Sequence, residues 1–230
     1  MRTKVIYEDK DIMVIHKPAG LATQTGQIGS MDVVSELKNY LAAKGEDSYV
    51  GVIHRLDQPV EGLLVFAKNK RAAAHLSGQL AKDNLNKEYD AVVCGVTECR
   101  EETLTDYLRK GNDSRAQVVT GEEARFPDAR RAVLHYCVKE EAPPFPGTTL
   151  IHVTLQTGRF HQIRAQMAHA GYPLLGDVKY GNEMSAELSR QYGIRQVALC
   201  ASAMSLQHPV TGKKLHFEIK PVGGGVGNIF

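Results

Sequence analysis

The chain has 230 residues, of which 28 are Lys or Arg and 26 are Asp or Glu, and 43% of them are hydrophobic. This length and this composition exclude a peptide-sized module and a mainly disordered chain, and they are sufficient for a full hydrophobic core. No apolar run approaches the roughly 20 residues of a membrane-spanning helix, and the N-terminus lacks the apolar segment of an export signal, so we expect a soluble protein of the cytoplasm.

The first elements in chain order are two short strands, at 5–7 and 12–15, which a polar turn joins. Between Ser30 and Gly45 the apolar residues recur at helical spacing, with Ser30 or Asp32 in a position to cap the start. This pattern predicts a helix that ends at Gly45.

An almost unbroken apolar run over 62–67 is typical of a buried strand, and Asn69 is a candidate cap for a second helix. The later predicted elements are strands at 89–96, 132–138 and 150–155, a helix at 160–170 that Gly171 ends, and strands at 197–206 and 215–219. Strands outnumber helices and do not alternate with them strictly. The pattern therefore predicts an α+β fold with a mixed, largely antiparallel β-sheet core and flanking helices.

No shift in composition marks a domain boundary. We expect one domain over 1–221, followed by a glycine-rich tail over 222–230. The stretches expected to be weakly ordered are 109–131, 142–147 and 223–227.

The four cysteines, Cys94, Cys99, Cys137 and Cys200, form neither a CxxC pair nor a Cys/His set at zinc spacing. We therefore expect reduced thiols and no metal site.

Charge is distributed unevenly along the chain. Residues 1–150 carry 20 basic and 22 acidic side chains, whereas residues 151–230 carry 8 basic and 4 acidic ones. This imbalance favours a polyanion-facing surface in the later part, although charged residues commonly do no more than solvate a face.

The first motif with possible chemistry is HRLD at 54–57, which follows an apolar lead-in and precedes a turn with Pro59 and Gly62. The pattern puts Asp57 on a loop at a strand end, where a rigid sheet can aim the carboxylate at a ligand. Arg55 is close enough in the chain to pair with it. A surface loop with an incidental ion pair is the alternative.

The second motif is GRFHQIR at 158–164, at the start of a predicted helix. His161 and Arg164 are three residues apart and share a face that differs from that of Ile163, so both can point into a cleft. An arginine directed at a distant carboxylate keeps that carboxylate ionised at neutral pH. Decoration of a helix surface is the alternative.

The third candidate is Tyr89, at the head of a strand. Its ring offers a flat face on which a nucleobase can stack, and its hydroxyl can take part in proton transfer. Packing within the strand is the alternative.

Taken together, five segments in order resemble the RluA-type family of pseudouridine synthases. They are VIYEDKDIMVIHKPAGL, HRLD with GLLVFAK, KEYDAVVCG, GRFHQIRAQMAHAGYPLLGDVKYG and ALCASAMSLQHPVTGKKLHFEIKP, and they cover nearly the whole chain. Many relatives carry a small S4-like RNA-binding domain before the catalytic one. Here the first strand of the catalytic domain begins at Val5, so we expect a catalytic domain without that addition.

By position, the resemblance implies three catalytic residues. Asp57 matches the catalytic aspartate, Tyr89 the active-site tyrosine, and Arg164 the arginine that pairs with the aspartate. Arg55 matches the basic residue that fills the space left by an extruded nucleotide. The residues expected to bind the substrate are Arg55, His54 and His161.

The chain departs from the family pattern in three places. Val60 and Glu61 replace a pair of small hydroxyl residues, Phe160 stands where Thr is common, and Asn84 lies near a position that is often Arg. These departures concern RNA contacts and target choice rather than chemistry.

The resemblance implies an isomerase that converts specific uridines of structured ribosomal or transfer RNA to pseudouridine with the Asp57 carboxylate. It implies no cofactor, no metal and no obligate protein partner. One alternative is an RNA-folding aid without turnover, which the retained Asp57, Tyr89 and Arg164 argue against. The other is an aspartate-nucleophile hydrolase of small molecules, which no phosphate loop or metal-ligand cluster in the sequence supports.

Overall fold

The computed structural model describes residues 1–26, 29–95, 97, 100–141 and 145–222. The strands are β1 (Lys4–Glu8), β2 (Ile12–Lys17), β3 (Gly51–Val52), β4 (Glu61–Ala67), β5 (Asn86–Cys94), β6 (Glu101–Lys110), β7 (Ala116–Val119), β8 (Arg130–Glu141), β9 (Thr148–Leu155), β10 (Leu199–Gln207) and β11 (Lys214–Glu218). The helices are α1 (Val33–Ala43), α2 (Lys70–Ala81), α3 (Gln162–His169) and α4 (Glu183–Gln191), and a short 3₁₀ turn spans Glu123–Arg125. Within the described residues the chain forms two compact units, one from Met1–Lys87 together with 200–222, and one from Glu88–Leu199.

In the first unit, the strands are ordered β1, β2, β4, β10 and β11, and β3 also pairs with β4. Among the described strand pairs only β4 and β10 run parallel, and the others are antiparallel. Gly62 lies where these two strands approach each other most closely. It adopts φ +138°, and a Cβ atom there would lie 2.4 Å from the Ala201 backbone nitrogen, so no other residue fits without a shift of backbone.

Helices α1 and α2 begin as the sequence predicts. The Asp32 side chain accepts a hydrogen bond from the Ser35 backbone N–H at 2.7 Å, and the Asn69 side chain accepts one from Ala72 at 2.9 Å. Each bond satisfies a donor that the helix cannot pair internally. The apolar side of α2, with Ala72 and Leu76, packs with residues of β2, β4 and β10 in one hydrophobic core.

In the second unit, the strands are ordered β5, β9, β8, β6 and β7, and each neighbouring pair is antiparallel. One core lies around Val92 of β5 and Leu150 of β9. A second core joins Ala165 of α3 to the sheet residues Leu108 and Ala132. Helix α3 is almost fully buried, so the side chains on its different faces all have fixed surroundings.

The predicted α+β class, with a mixed and largely antiparallel sheet, is confirmed. The expectation that 109–131 is weakly ordered is wrong, because the end of β6, all of β7 and the 3₁₀ turn lie there. The expectation for 142–147 lies partly outside the described residues, which resume at 145, and the tail from 223 lies outside them entirely. The single domain over 1–221 stays a prediction.

Among the residues that the structure describes, Cys94 and Cys137 carry free thiols, whereas Cys99 lies outside that set. None of the described helices is both long enough and apolar enough to cross a membrane.

Candidate active site

The HRLD motif forms the loop between β3 and β4, at the strand end where the sequence places it. Asp57 is half-buried and Arg55 is exposed, so both side chains reach solvent. The chain turns directly after the aspartate, where the Val60 backbone N–H donates to the Asp57 carbonyl at 3.0 Å. A short, hydrogen-bonded turn on a buried strand limits the positions that the carboxylate can take.

The residues on both sides of Asp57 are fixed by the segment that follows β2. The Thr23 hydroxyl donates to the Leu56 carbonyl at 2.9 Å and accepts from the Leu56 N–H at 3.2 Å. The Gly20 N–H donates to the Gln58 carbonyl at 2.8 Å. Asp57 therefore lies between two backbone groups whose positions are set by hydrogen bonds to one neighbouring segment.

The buried side chain of Lys17 also helps to fix the backbone beside Asp57. Its side chain is fully buried, at 0% exposure. The ammonium donates to three carbonyl oxygens, those of Pro18 at 3.0 Å, Leu21 at 2.7 Å and Gln58 at 3.1 Å. Burial lowers the pKa of Lys17 to about 7, and the carboxylates of Asp57 and Glu61 act in the opposite direction.

This lysine leads to a prediction about stability and pH. In the unfolded chain Lys17 keeps its proton up to a pKa of 10.5, whereas in the folded protein it loses it near pH 7. Between these values the unfolded state binds more protons, so the cost of burying Lys17 falls as the pH rises, by up to about 1.4 kcal/mol per pH unit. We expect urea denaturation to show that wild type gains stability relative to Lys17→Met between about pH 7 and about pH 9.

A constant difference between the two proteins across that range would contradict this prediction. It would show that the three carbonyl acceptors hold the ammonium form throughout, because a neutral amine has only two N–H groups to donate.

Glu61, one of the departures from the family pattern, begins β4 and is buried at 3% exposure. Its Oε1 atom lies 2.7 Å from Nε2 of His16 and accepts from the Val222 backbone N–H at 2.9 Å. These contacts are internal to the first unit. An acidic side chain at position 61 is therefore explained by its hydrogen-bond partners within the fold, His16 and Val222.

His54 is half-buried beside β4, and its Nε2 atom lies at a long 3.5 Å from the Val65 N–H. Removal from water, together with the charge of Lys87, lowers the pKa of His54 to about 3. The ring is therefore neutral at physiological pH. Any contact that it makes with a substrate is a hydrogen bond rather than an ion pair.

In the second unit, Arg164 lies on α3 and is 4% exposed. Its Nε atom donates to Asp177 Oδ2 at 2.7 Å and its Nη2 atom to Asp177 Oδ1 at 2.8 Å. Asp177 also accepts from the backbone N–H groups of Lys179 at 3.0 Å and Tyr180 at 3.2 Å. This two-point pairing fixes the plane of the guanidinium group.

Tyr180 connects Arg164 to His161. The guanidinium carbon of Arg164 lies 5.1 Å from the centre of the Tyr180 ring, and the Tyr180 hydroxyl lies 2.8 Å from His161 Nδ1. The same hydroxyl accepts from the Ala116 N–H at 2.6 Å, so Ala116 and His161 together fix its position. The structure thus brings His161 and Arg164 together through one shared neighbour.

His161 caps the start of α3 in the left-handed region, with φ +52°. A non-glycine residue held in a sparsely populated conformation costs about 1–3 kcal/mol, and such residues cluster at functional sites. The side chain of Gln162 secures this start, because its Oε1 atom accepts from the Thr157 hydroxyl and from the Arg159 N–H, both at 2.9 Å.

Tyr89 lies in β5, opposite Val153 of β9, and is 6% exposed. Its role, and the pairing of Asp57 with Arg164, stay predictions.

One group of residues in the described part of the chain combines three potential metal ligands. Asp9, Asp11 and His208 place one ligand atom each within 4.8 Å of the others. However, His208 Nδ1 accepts from the N–H groups of Val210 at 3.2 Å and Thr211 at 3.1 Å, so its proton is on Nε2, which lies 2.8 Å from Asp9 Oδ2. The imidazole therefore acts as a hydrogen-bond donor here, not as a ligand.

Sequence reasoning did not identify Lys17, Thr23, Asp177 or Tyr180 as parts of the site. Asp177 and Tyr180 belong to the GDVKYG segment of the chain, and Lys17 to HKPAG. Both segments carry the resemblance to the family, which was the available signal. The sequence does not show, however, that Lys17 reaches the Gln58 carbonyl or that Asp177 pairs with Arg164.

Comparison with known proteins shows the family to which the chain is similar. A family model described as RNA pseudouridylate synthase matches residues 11–169. Ribosomal large subunit pseudouridine synthase D of Haemophilus ducreyi is 34% identical over 218 residues, which are 91% of this chain and 64% of that protein. The uncharacterized RNA pseudouridine synthase YlyB of Bacillus subtilis is 32% identical over 223 residues, or 95% of this chain and 69% of that protein. The chain thus spans about two thirds of the length of these relatives.

Among solved structures, human RNA pseudouridylate synthase domain containing 4 is similar, with a TM-score of 0.78 and 21% identity. The match covers 98% of this chain and 91% of the human one. At this identity the likeness establishes the fold.

Proposed function

The chain belongs to the RNA pseudouridylate synthase family, and from this premise we propose that it isomerises specific uridines of structured RNA to pseudouridine with Asp57 as the catalytic carboxylate. The observation that carries the proposal is the family match over 11–169, which contains Asp57, Tyr89 and Arg164. The substrate that we favour is ribosomal RNA, because several relatives are named for the large ribosomal subunit. Transfer RNA is the second candidate.

The reaction breaks the bond between N1 of the uracil and C1′ of the ribose. The base then turns within the pocket, and a new bond joins C5 to C1′. The hydrogen of C5 leaves as a proton and N1 gains one, so atoms and charge balance without an oxidant, a reductant or an energy source. For this reason the proposal includes no cofactor and no metal.

Asp57 suits the central role because its carboxylate is half-buried on a fixed loop, where it is accessible to a nucleotide. An ionised carboxylate can attack C1′ or C6, or it can stabilise the charge that develops during elimination to a glycal. The three routes share the requirement that the carboxylate is charged and correctly oriented.

We assign to Arg164 the role of keeping the Asp57 carboxylate charged and oriented. A guanidinium group beside Asp57 would favour the charged carboxylate, and the two bonds to Asp177 fix the direction in which its remaining N–H groups point. Tyr89 is assigned to stacking on the extruded uracil, with its hydroxyl available for proton transfer. Arg55, which is exposed, is assigned to the gap that the extruded base leaves in the RNA.

The remaining assignments are His54 and His161 as contacts of the substrate. His54 contributes a neutral ring, and His161 belongs to the network around Arg164. We place the reaction in the cytoplasm, with RNA as the partner and no obligate protein partner.

The experiment that tests the proposal uses an unmodified transcript of large-subunit ribosomal RNA, tritiated at uridine C5. Conversion to pseudouridine replaces the C5–H bond, so the enzyme should release tritium to water in proportion to product. A protein that only aids RNA folding would bind the transcript and release none. Absence of release from both this transcript and tritiated transfer RNA would reject the proposed function.

A further inference from the structure

Phe160 is an aromatic side chain on the surface of the second unit, two residues before the start of α3, and it is 42% exposed. Its ring stacks on His161, with 3.7 Å between the ring centres and 21° between the ring planes. The ring belongs to neither of the two hydrophobic cores described for this unit. Its exposure points to a contact outside the protein.

The ring beneath Phe160 is held firmly. The left-handed backbone of His161 and the hydrogen bond between its Nδ1 atom and the Tyr180 hydroxyl fix the imidazole at the start of α3. Tyr180 in turn faces the guanidinium of Arg164 at 5.1 Å. A continuous series of contacts within the second unit therefore leads from the exposed Phe160 ring to the buried Arg164.

One cation lies over the exposed ring, and a second belongs to the preceding residue of the chain. The Lys110 ammonium lies 5.3 Å from the centre of the Phe160 ring. Arg159, the preceding residue, is exposed and is anchored by a hydrogen bond from its Nε atom to the Arg131 carbonyl at 3.0 Å. An accessible ring flanked by positive charge is the combination with which proteins bind single-stranded nucleic acid, in which bases stack and phosphates meet cations.

We infer that Phe160 is a stacking platform for an unpaired nucleobase of the RNA substrate, next to the uridine that reacts. This inference rests on the proposed function. The incoming base takes the place of the Lys110 ammonium on the ring, and Lys110 and Arg159 then meet the phosphates on either side. Because every base has a flat face, the platform selects an unstacked nucleotide, in a loop or a bulge, rather than one base type.

The chain offers a matched control. Phe126 is 49% exposed in the same unit and lies 5.9 Å from the guanidinium carbon of Arg109, so it too is an exposed aromatic beside a cation. Unlike Phe160, it follows the 3₁₀ turn at Glu123–Arg125 rather than the start of α3. The chain also contains no tryptophan, so one introduced indole is the only such fluorophore.

The test compares the variants Phe160→Trp and Phe126→Trp in the presence of the unmodified large-subunit transcript. We expect the RNA to quench the fluorescence of Phe160→Trp strongly, because the indole stacks on a base, and to leave that of Phe126→Trp nearly unchanged. We also expect Phe160→Ala to raise the Kd for the transcript about 5- to 150-fold, with little change in kcat, whereas Phe126→Ala binds like wild type.

Equal fluorescence behaviour of the two tryptophan variants would overturn the inference. So would a Phe160→Ala variant with unchanged Kd, or one that binds normally but has lost kcat, since that result would assign Phe160 to the support of Arg164. Tritium release by wild type on the same transcript separates the two proposals. If wild type turns over and the Phe160→Trp signal does not respond, only the platform fails, whereas absence of turnover rejects the function itself.

Discussion

Replacement of Asp57 by Asn is expected to reduce kcat for tritium release by at least about 10³-fold. The amide has nearly the same shape as the carboxylate, but it carries no charge and is a poor nucleophile, so every route available to the carboxylate is lost. The loop should keep its form, because the groups that fix it are the backbone at Leu56 and Gln58 and the side chains of Lys17 and Thr23. Affinity for the transcript should therefore change little.

A suitable control for this variant is Asp47→Asn, at an exposed aspartate of the same unit. It should match wild type in turnover, and both variants should unfold at the urea concentration of wild type. If Asp57→Asn retained a tenth or more of the wild-type kcat, Asp57 would not be the catalytic carboxylate.

Replacement of Asp177 by Ala is expected to cause the largest loss of stability. The Arg164 side chain is 4% exposed and that of Asp177 is 0% exposed, so removal of the carboxylate leaves a guanidinium group buried without its main partner. Breaking a buried pair in this way costs about 3–5 kcal/mol, which in a chain of this length lowers Tm by roughly 10 °C. The two backbone N–H groups that bond to Asp177 lose their acceptor as well.

The matched control for this prediction is Asp113→Ala. Asp113 lies 3.6 Å from Arg115 with both side chains about half exposed, and a surface pair of this kind contributes about 0–1 kcal/mol. Differential scanning calorimetry of the three proteins should place Asp113→Ala close to wild type and Asp177→Ala well below it. Similar Tm values for all three would show that Arg164 finds an equivalent partner, and the argument for a fixed guanidinium would fail.

The elements that the sequence predicted well are those marked by a capping residue or a regular apolar pattern within one segment. Asp32 and Asn69 precede regular apolar repeats, and both cap the helices that follow. The apolar run at 62–67 is buried throughout as β4. In each case a single segment contains both the apolar pattern and the residue that ends it, so no distant contact is needed to recognise the element.

The elements that the sequence did not predict, such as β6 and α4, consist mainly of polar residues and lack a regular apolar pattern. In β6 burial alternates from Thr103 to Leu108, but an aspartate occupies the inward position 106, so apolar and polar residues do not alternate in its sequence. The buried residues of α4 are Ser185 and Ser189, which leave no apolar stripe to detect. The segment Glu101–Lys110 is recognisable as a strand through its pairing with β7 and β8, which the local sequence does not show.

The same distinction applies to the site. Asp57 and Arg164 lie in short motifs that can be read directly, whereas Lys17 is notable only because three carbonyl groups surround it in the folded protein. Asp177 likewise resembles any aspartate in a glycine-rich segment until its bonds to Arg164 are known. Burial of a charge is a property of the tertiary structure, so local patterns do not reveal it.

The order of the strands also has a consequence for folding during synthesis on the ribosome. The parallel neighbour of β4 belongs to the segment that begins at Cys200, whereas the strands of the second unit follow one another along the chain. A ribosome that adds about 5–20 residues per second needs roughly 5 to 20 s to make residues 88–199. During that interval the start of β4, at Glu61 and Gly62, has no parallel partner, so the sheet of the first unit cannot be completed until the segment from Cys200 has been made.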